Sequence, residues 1–527
     1  MPDSVNPCRL FPEENPPAGA NPPRAQPPRQ LSKSKLLAYR QCERRLWLEV
    51  HMPSWRDDSA ESRARFDAGN RVGEIARQSF DPDGRGALID VQAEGFTAAF
   101  ERTVSLLSSD QAIFEAGFST ARALSFADVM LPVEVEGRRM WRMIEVKSAT
   151  GVKDYHRDDA AIQAYLARSA GVPLASISIA HVDSKWVYPG GGDYRGLLKE
   201  SDVTVDAFGR DAEVQSWIDE AHAVVREPNE PQRRMGSHCT SPFPCGFATI
   251  CRVDEPWIEY PVAWLPRAQA KALKTHLAEP DVTDMRQVPD DLLNARQLRV
   301  KAQTLANTAW FDRSAAAQAL QAHEAPMCFL DFETIQFTVP IWAGTRPYAQ
   351  VPFQFSLHRL GADGTVDHRE FLDLSGDDPS AAFADALVAA CNGDGAVFVY
   401  NAGFENARMK ELALRFPQHG PGLRAIAARV VDLLPIAQAH YYHPSQQGSW
   451  SIKKVLPAVV PELSYDDLDG VQDGTAAMNA YLEAINPATP AHRKSEIRDQ
   501  LLAYCSLDTY AMVRLWQVFG DRRDLDL

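Results

Sequence analysis

The segment FLDFETI carries two acidic residues, Asp331 and Glu333, two positions apart in an otherwise apolar run. Side chains alternate across a β-strand, so a strand here presents both carboxylates on one face. Buried acids are unfavourable unless a metal ion or water compensates their charge. Glu405 follows the apolar run VFVY, while Tyr504 and Asp508 stand four apart, on one face of a predicted helix. We expect the four carboxylates to bind two Mg²⁺ or Mn²⁺ ions and Tyr504 to orient an attacking water.

A second acidic group lies earlier in the chain, around the segment IEVKSA. Alternation along a strand places Glu145 and Lys147 on the same face. A hairpin turn predicted at Glu136 and Gly137 brings Asp128 of the preceding strand beside them. Neighbouring carboxylates repel each other, and a divalent cation relieves that repulsion while the lysine positions water or stabilises a transition state. The alternative is a solvated strand, because Glu-x-Lys is a common tripeptide on exposed strands.

Four cysteines form a third candidate group. Cys239, Cys245 and Cys251 follow a C-x5-C-x5-C spacing in a loop-like segment, and Cys42 lies far upstream. Four thiols brought together can hold a metal centre, but zinc, iron–sulfur and unrelated buried thiols all remain open from the spacing alone. The other cysteines are scattered; we read Cys8 as a tail thiol and the rest, Cys328, Cys391 and Cys505, as ordinary buried residues.

The elements that must position these groups divide the chain into four parts. Nine of the 36 prolines lie in the first 30 residues, a composition that predicts a disordered tail over residues 1–30. A continuous helix capped by Ser32 or Ser34 is expected through SKLLAYRQCERRLWLEV, at the start of a first domain over residues 31–255. A charged, alanine-rich helical connector follows over residues 256–324. Strands followed by alternating helices then predict an α/β domain over residues 325–527.

The overall composition excludes several classes of protein. With 527 residues the chain is too long for one compact domain, and it has no uncharged apolar run of the length a membrane span needs. Eight cysteines are too few for a disulfide scaffold, and the N-terminus has no apolar signal region, so we expect a cytoplasmic protein. The net charge of −15 argues against nucleic acid, but at least six acids are expected metal ligands. The basic segments SKSKLLAYRQCERR and GRRMWR remain available for phosphates.

The first domain resembles a known nuclease family. The segments LSKSKLLAYRQCERRLWLEV, SFADVMLPVE, IEVKSA and DDAAIQAYL occur in the order found in RecB-like PD-(D/E)XK nucleases of the iron–sulfur type. The resemblance covers about residues 31–255 and implies a restriction-endonuclease-like fold. It also implies that Asp128 and Glu145 bind Mg²⁺ or Mn²⁺, that Lys147 is catalytic, and that a [4Fe–4S] cluster binds Cys42, Cys239, Cys245 and Cys251.

This sequence departs from that family at two positions. The family usually has a metal-binding His four residues after a Gly in its first helix, whereas Gly69 is followed here by Gly73, and Glu74 is the nearest candidate ligand. The family also places a Tyr about one turn beyond its Gln in the helix after the lysine. Tyr165 is only two residues past Gln163, so we expect Gln163 to contribute and Tyr165 to point away.

The C-terminal domain resembles the DEDDy branch of the DnaQ-like 3′–5′ exonucleases, which have a ribonuclease H-like fold. The motifs D-x-E, N-x-x-x-E and Y-x-x-x-D occur in the family's order, with Glu405 at a position that is usually Asp. Together with VVDLLPIAQAHYY and GSWSIKKVLP they look like a bacterial family of uncharacterised RecB-like proteins with this domain at the C-terminus. His358 is expected to be structural and Asp432 to cap a helix.

These resemblances together imply a metal-dependent DNA nuclease with two nuclease modules, active in DNA repair, recombination or defence. The C-terminal module would act as a 3′–5′ exonuclease on single-stranded DNA or on 3′ ends. The sequence contains no P-loop motif, so any unwinding belongs to a partner helicase. Two alternatives stay open: an RNA-trimming exonuclease, and a nucleic-acid-binding protein in which one module is inactive.

Overall fold

The computed structural model describes residues 30–57, 60–267, 270–279 and 281–522. The predicted tail, apart from Gln30, and its Cys8 lie outside the described residues. The chain separates into two compact units. The N-terminal unit comprises Met1–Asp183 and Tyr194–Glu255, and the C-terminal unit comprises Ser184–Asp193 and Pro256–Leu527. Both units combine helices with a mixed β-sheet, so the fold class is α/β, as predicted.

A mixed sheet forms the centre of the N-terminal unit. Its strands are β1 (Leu31–Ser32), β2 (Ala87–Leu88), β3 (Ile113–Ser119), β4 (Ala123–Val135), β5 (Arg138–Lys147), β6 (Leu174–Val182) and β7 (Leu198–Asp202). They lie in the order β2-β3-β4-β5-β6-β7, with β1 pairing parallel to the start of β4. Glu136 and Gly137, both with positive φ, form the tight turn between β4 and β5. This turn sets the register that places the acids of β4 and β5 side by side.

Helices cover this sheet. They are α1 (Lys33–Gln41), α2 (Glu43–His51), α3 (Ala60–Phe80), α4 (Val91–Glu94), α5 (Phe96–Leu106), α6 (Asp154–Ser169), α7 (Thr204–Phe208), α8 (Asp211–Arg226) and α9 (Ala248–Val253). The helix α6 packs on β4 and β6 through a face rich in small residues and buries Gln163 completely. Ser32 caps α1 by accepting a hydrogen bond from the backbone N–H of Lys35.

The expected continuous helix through SKLLAYRQCERRLWLEV is wrong at one residue. Cys42 has an extended backbone, with φ −164° and ψ 125°, and separates α1 from α2. No helix breaker stands at this position. The interruption is therefore set by packing rather than by local propensity, and it aims the Cys42 side chain at the cysteine-containing loop.

The C-terminal unit is built around a second mixed sheet. Its strands are β9 (Met327–Ile335), β10 (Val351–Leu360), β11 (Val366–Leu372), β12 (Val397–Val399) and β13 (Val430–Asp432), in the order β11-β10-β9-β12-β13. The short strands β8 (Trp310–Phe311) and β14 (Tyr441–Tyr442) pair separately. The central strand β9 is antiparallel to β10 and parallel to β12. Because helices pack on both faces of the sheet, even the acidic positions of β9 are enclosed.

The helices of the C-terminal unit are α10 (Lys271–Leu277), α11 (Ala295–Ala306), α12 (Arg313–Leu320), α13 (Ser380–Ala390), α14 (Ala402–Arg415), α15 (Gly420–Ala427), α16 (Leu433–His440), α17 (Ile452–Val459), α18 (Gly474–Ile485) and α19 (Ala491–Phe519). Asp432 caps α16, as expected, by accepting from the backbone N–H of Leu434. Among the described helices, none has both the length and the apolar character that a bilayer crossing requires.

Two segments belong to a different unit than the sequence indicates. Residues 256–324, expected as a connector, pack into the core of the C-terminal unit through buried side chains such as Leu273, Val300 and Leu320. Residues 184–193 leave the N-terminal unit between β6 and β7 and join the C-terminal unit. There the backbone N–H of Tyr188 donates to the Thr345 carbonyl at 2.9 Å, and that of Gly344 donates to the Tyr188 carbonyl at 2.8 Å.

Candidate functional site

Three acids predicted from the sequence meet in the C-terminal unit. Asp331 and Glu333 lie on the face of β9 that is covered by α19, and α19 contributes Asp508. One carboxylate oxygen from each lies within 4.8 Å of the others. Phe332, between the two acids of β9, packs on the opposite face with Phe383 at a ring distance of 5.0 Å. The strand therefore presents two adjacent acids toward α19 while its other face stays apolar.

The charge of this acidic group is only partly offset, by the nearby Lys453. None of the three carboxylates makes an ion pair with any described residue. Burial, reinforced by the charge of Asp508, raises the pKa of Glu333 to about 8, and burial raises the pKa of Asp508 itself to about 6. Burial and the neighbouring acids raise the pKa of Asp331 well above its ordinary value. A divalent cation would relieve this repulsion and keep the three groups ionised.

Glu405, the fourth predicted acid, lies near this group but outside it. It is buried on the first turn of α14, and its Oε2 atom has no hydrogen-bond partner. Burial raises its pKa to about 8, and its charge contributes to the raised pKa of Asp331. A buried carboxylate oxygen without a partner is unfavourable, and a hard cation with oxygen ligands would satisfy it. The residues present thus fit a Mg²⁺ or Mn²⁺ site.

Two residues beside this group were not predicted. The Tyr465 hydroxyl donates to Asp508 Oδ1 at 2.5 Å. The Lys453 Nζ atom lies 4.8 Å from the ring centroid of Tyr504 and 5.3 Å from that of Tyr465. The predicted Tyr504 is buried against the same acids, which together with burial raise its pKa. Lys453 lies in the segment GSWSIKKVLP, which the sequence singled out without assigning a role to its lysine.

His358, expected to be structural, contacts α19 at the residue next to Asp508. Its Nδ1 atom contacts the hydroxyl of Thr509 at 2.8 Å, and its ring stacks on His368 at 4.4 Å. Burial lowers the pKa of His358 to about 4. The imidazole is therefore neutral at physiological pH and belongs to the core rather than to the acidic group.

The N-terminal unit brings its three predicted residues together on β4 and β5. Asp128 Oδ2 accepts a hydrogen bond from the backbone N–H of Val146 at 2.6 Å. Lys147 Nζ donates to Glu145 Oε1 at 2.6 Å. Together with Glu115 these side chains line a cavity of about 510 Å³. The cavity is polar and open enough to admit a phosphate group or hydrated cations.

Two further charged residues complete this site, and neither was predicted. Lys33, the first residue of α1, lies 2.9 Å from Glu145 and 3.0 Å from Asp159. Asp159 of α6 also pairs with Lys147. Asp159 stands four residues before Gln163, on the same helix face, which is the one local signal that could have identified it. Two lysines and two acids thus form a closed network of ion pairs.

This network changes the titration of its members. Burial, with the charges of Asp128 and Asp159, raises the pKa of Glu145 to about 7. Burial also raises the pKa of Asp159, but the two lysines outweigh it and hold that pKa below its ordinary value. Burial lowers the pKa of Lys33, but the charges of Asp159 and Glu145 outweigh it and raise that pKa. Asp159 therefore stays ionised between the two lysines.

The remaining residues predicted for this site differ in whether they contact the acids. Gln163 donates from Nε2 to Glu145, whereas the Tyr165 hydroxyl donates to Gln215, away from the acids. Glu74 lines the same cavity but is exposed and pairs with Arg71 at 2.9 Å. Gln163 therefore touches the acids directly, while Glu74 lies at the rim.

The four predicted cysteines line one small cavity; Cys42 follows α1, Cys239 and Cys245 precede α9, and Cys251 lies within α9. All four are free thiols, and Cys42 and Cys239 are buried. No three of these described thiols lie within 4.8 Å of one another. Burial raises the pKa of Cys251 to about 11, against the charge of Arg44. Among the described residues the four thiols therefore share one cavity without forming a compact group of metal ligands.

Residues 328–451 match a family described as a domain of unknown function, DUF2779. The matched span begins within β9 and includes Asp331, Glu333 and Glu405, but it ends before Asp508. No curated protein matches the chain.

Proposed function

We propose that the chain is a metal-dependent nuclease whose C-terminal unit hydrolyses phosphodiester bonds at the 3′ ends of DNA. The observation that carries this proposal is the acidic group of Asp331, Glu333 and Asp508, with oxygens within 4.8 Å of one another and no ion pair to a described residue. Such a group is unfavourable without a bound cation. The unpartnered buried oxygen of Glu405 supports a second set of cation contacts beside it.

The chemistry follows from the donors present. Bound Mg²⁺ or Mn²⁺ ions would activate water and stabilise the leaving 3′ oxygen. Asp331, Glu333, Glu405 and Asp508 would hold them. Tyr504, buried beside the acids, would orient the water, and Tyr465 would fix Asp508 through the hydrogen bond to Oδ1. Lys453, over both tyrosine rings, would contribute a positive charge near the phosphate.

Two variants of the full chain test this assignment. Single- and double-stranded DNA and RNA, labelled at the 3′ or 5′ end, are incubated with Mn²⁺, and the products are separated by length. We expect stepwise shortening from the 3′ end and its loss in Asp331→Asn. Glu145→Gln, which alters the other unit, should leave that shortening in place. Undiminished 3′ shortening in Asp331→Asn would reject the assignment, and preferential shortening of RNA would favour the RNA-trimming alternative.

For the N-terminal unit we propose a second nuclease centre. Asp128 and Glu145 would bind Mg²⁺ or Mn²⁺ in the 510 Å³ cavity, and Lys147 would assist water attack. A specific observation also favours the alternative of a binding unit without activity, because Glu145 already pairs with both lysines. A cleavage pattern that disappears in Glu145→Gln but persists in Asp331→Asn would support the nuclease centre. Its absence from wild-type protein would favour the binding unit.

We further propose that Cys42, Cys239, Cys245 and Cys251 bind a [4Fe–4S] cluster. The cluster would link the junction of α1 and α2 to α9 and the loop before it, because these are the elements that carry the four thiols. The shared cavity lined by all four thiols supports this proposal. Anaerobically purified protein should show broad visible absorbance that is lost in Cys42→Ser. Stoichiometric zinc without iron would overturn this assignment.

A further inference from the structure

Two adjoining cavities open on the C-terminal unit, with volumes of about 370 and 270 Å³. We call the combined space of the two cavities the arginine cleft. Five residues line both cavities: Arg346, Ala349, Gln350, Arg408 and Glu411. Arg415 lines the larger cavity as well. The cleft therefore has three arginines and one acid among its lining residues.

The arginine cleft begins where the strand of the acidic group ends. Gln336, the residue after β9, lines the smaller cavity, and Val351 of β10, which pairs with Ile335, lines the larger one. At the rise of an extended strand, Gln336 is ~10 Å along the chain from Glu333. Arg408 stands three residues after Glu405 on α14, one helical turn away. Both walls of the cleft thus continue from elements that carry the acids.

The arginines differ in how far the protein satisfies them. Arg408 is held by Glu411, at 2.9 and 3.0 Å, and by Gln350. Arg415 is held by Asp378 and the Ser380 hydroxyl. Arg346 is exposed, and no described residue forms a hydrogen bond or ion pair with its guanidinium. An arginine that faces a cleft without a partner provides a planar set of donors suited to a phosphate.

We propose that the arginine cleft binds the phosphodiester backbone of the substrate strand upstream of its 3′-terminal nucleotide, with Arg346 as the main phosphate contact. This inference rests on the proposed function of the C-terminal unit. The terminal phosphodiester lies at the acids, and the strand continues past the end of β9 into the cleft. Arg408, fixed by Glu411, lines its floor. In this arrangement the reacting phosphate contacts the metal ions held by the acids. The remaining phosphates of the strand contact the arginines of the cleft.

The test separates the cleft from the chemistry by substrate length. All proteins carry Glu145→Gln, so that cleavage reports the C-terminal unit. The short substrate is the p-nitrophenyl ester of thymidine 5′-monophosphate, which has no upstream phosphate; the long substrates are DNA and RNA oligonucleotides of one sequence. We expect Arg346→Ala to raise KM for the oligonucleotide about tenfold and to leave kcat and hydrolysis of the short ester unchanged, because one charged contact to phosphate is lost.

Salt dependence and matched variants complete the test. The slope of log KM against log salt concentration should fall by about 0.7 in Arg346→Ala, the value for one phosphate contact to a single strand. Arg346→Lys should restore part of the affinity. Arg424→Ala, which removes an exposed arginine of α15 outside the cleft, should change neither quantity. Comparison of KM for the DNA and RNA oligonucleotides shows whether the site prefers deoxyribose or ribose in its substrate.

Failure of the cleft is distinguishable from failure of the proposed function. If the parent protein hydrolyses neither substrate, the nuclease function itself is contradicted. If the parent protein is active and Arg346→Ala keeps its KM and its salt slope on the oligonucleotide, the arginine cleft is rejected and the nuclease function stands.

Discussion

The two acidic sites of this chain differ in how their charge is balanced. In the N-terminal unit, Glu145 and Asp159 share two lysines in a closed set of ion pairs. In the C-terminal unit, Asp331, Glu333 and Asp508 have no ion pair with any described residue. Two acids of the N-terminal site are therefore held in ion pairs as folded, whereas the C-terminal acids require a cation from solution or protonation.

The two sites show two ways in which a folded protein tolerates buried carboxylates. A lysine that pairs with an acid offsets its charge, but it also competes with a metal ion for the same oxygen, as at Glu145 Oε1. A buried acid without an ion pair leaves its oxygens open, and it can exchange a proton for a metal ion. We expect the C-terminal site to bind divalent cations more tightly than the N-terminal site.

The largest expected effect comes from removing one lysine of the N-terminal network. Lys147→Met leaves the buried acids Glu145 and Asp159 with Lys33 alone, and breaking such a pair costs about 3 kcal/mol of the free energy of unfolding. Lys453→Met in the C-terminal unit should cost less than about 1 kcal/mol, because Lys453 makes no ion pair and the acids there can take up protons. Urea unfolding at neutral pH with EDTA measures both, and equal losses would contradict the comparison.

The second effect is expected from pH on the metal-free protein. The pKa of Glu333 is about 8 in the folded state, above its ordinary value, so between pH 5 and 8 the folded state binds more protons than the unfolded state. Stability therefore falls as pH rises through this window, and Glu333 contributes about 3 kcal/mol to the fall. Urea unfolding at pH 5.5 and 8.5 in EDTA measures it.

Two controls accompany the pH experiment. Glu333→Gln should flatten the pH dependence, because the amide does not titrate. Addition of Mn²⁺ at pH 8.5 should restore the lost stability in wild-type protein and less of it in the variant. A pH slope identical in both proteins would show that the acidic group is not the cause.

The smallest expected effect concerns a single hydrogen bond. Tyr465→Phe removes the donor to Asp508 Oδ1, which should lower the rate of 3′ shortening about tenfold and reduce stability by about 1 kcal/mol. Tyr481→Phe is the matched control, because the buried Tyr481 hydroxyl has no hydrogen-bond partner. Rates measured across a range of Mn²⁺ concentrations should separate loss of metal affinity from loss of turnover. Equal rates in the two variants would remove Tyr465 from the site.

Some parts of this structure can be predicted from the local sequence pattern alone. The alternation of FLDFETI placed Asp331 and Glu333 on one face of a strand, and the Glu136–Gly137 pair gave the hairpin that brings Asp128 to Glu145. In these cases the signal lies within a few residues, where backbone geometry alone fixes which side chains share a face.

Other parts depended on contacts between distant residues. Lys33 was read as part of a basic segment available to phosphates, because nothing near it in the sequence indicates a partner 112 positions away. The break at Cys42 follows no breaker residue and arises from packing against the cysteine loop. Tyr465 lies in a short turn without periodicity, so only the folded chain brings it to Asp508.

The excursion of residues 184–193 determines how this chain can be divided. A polypeptide that starts at Pro256 lacks the strand-like pairing of Tyr188 with Gly344 and Thr345, and it also lacks Val187, which lines the arginine cleft. A polypeptide that stops at Glu255 keeps the segment but has no surface on which to bury Tyr188. Neither half is therefore sufficient by itself. A recombination event that exchanges the C-terminal unit must also transfer residues 184–193.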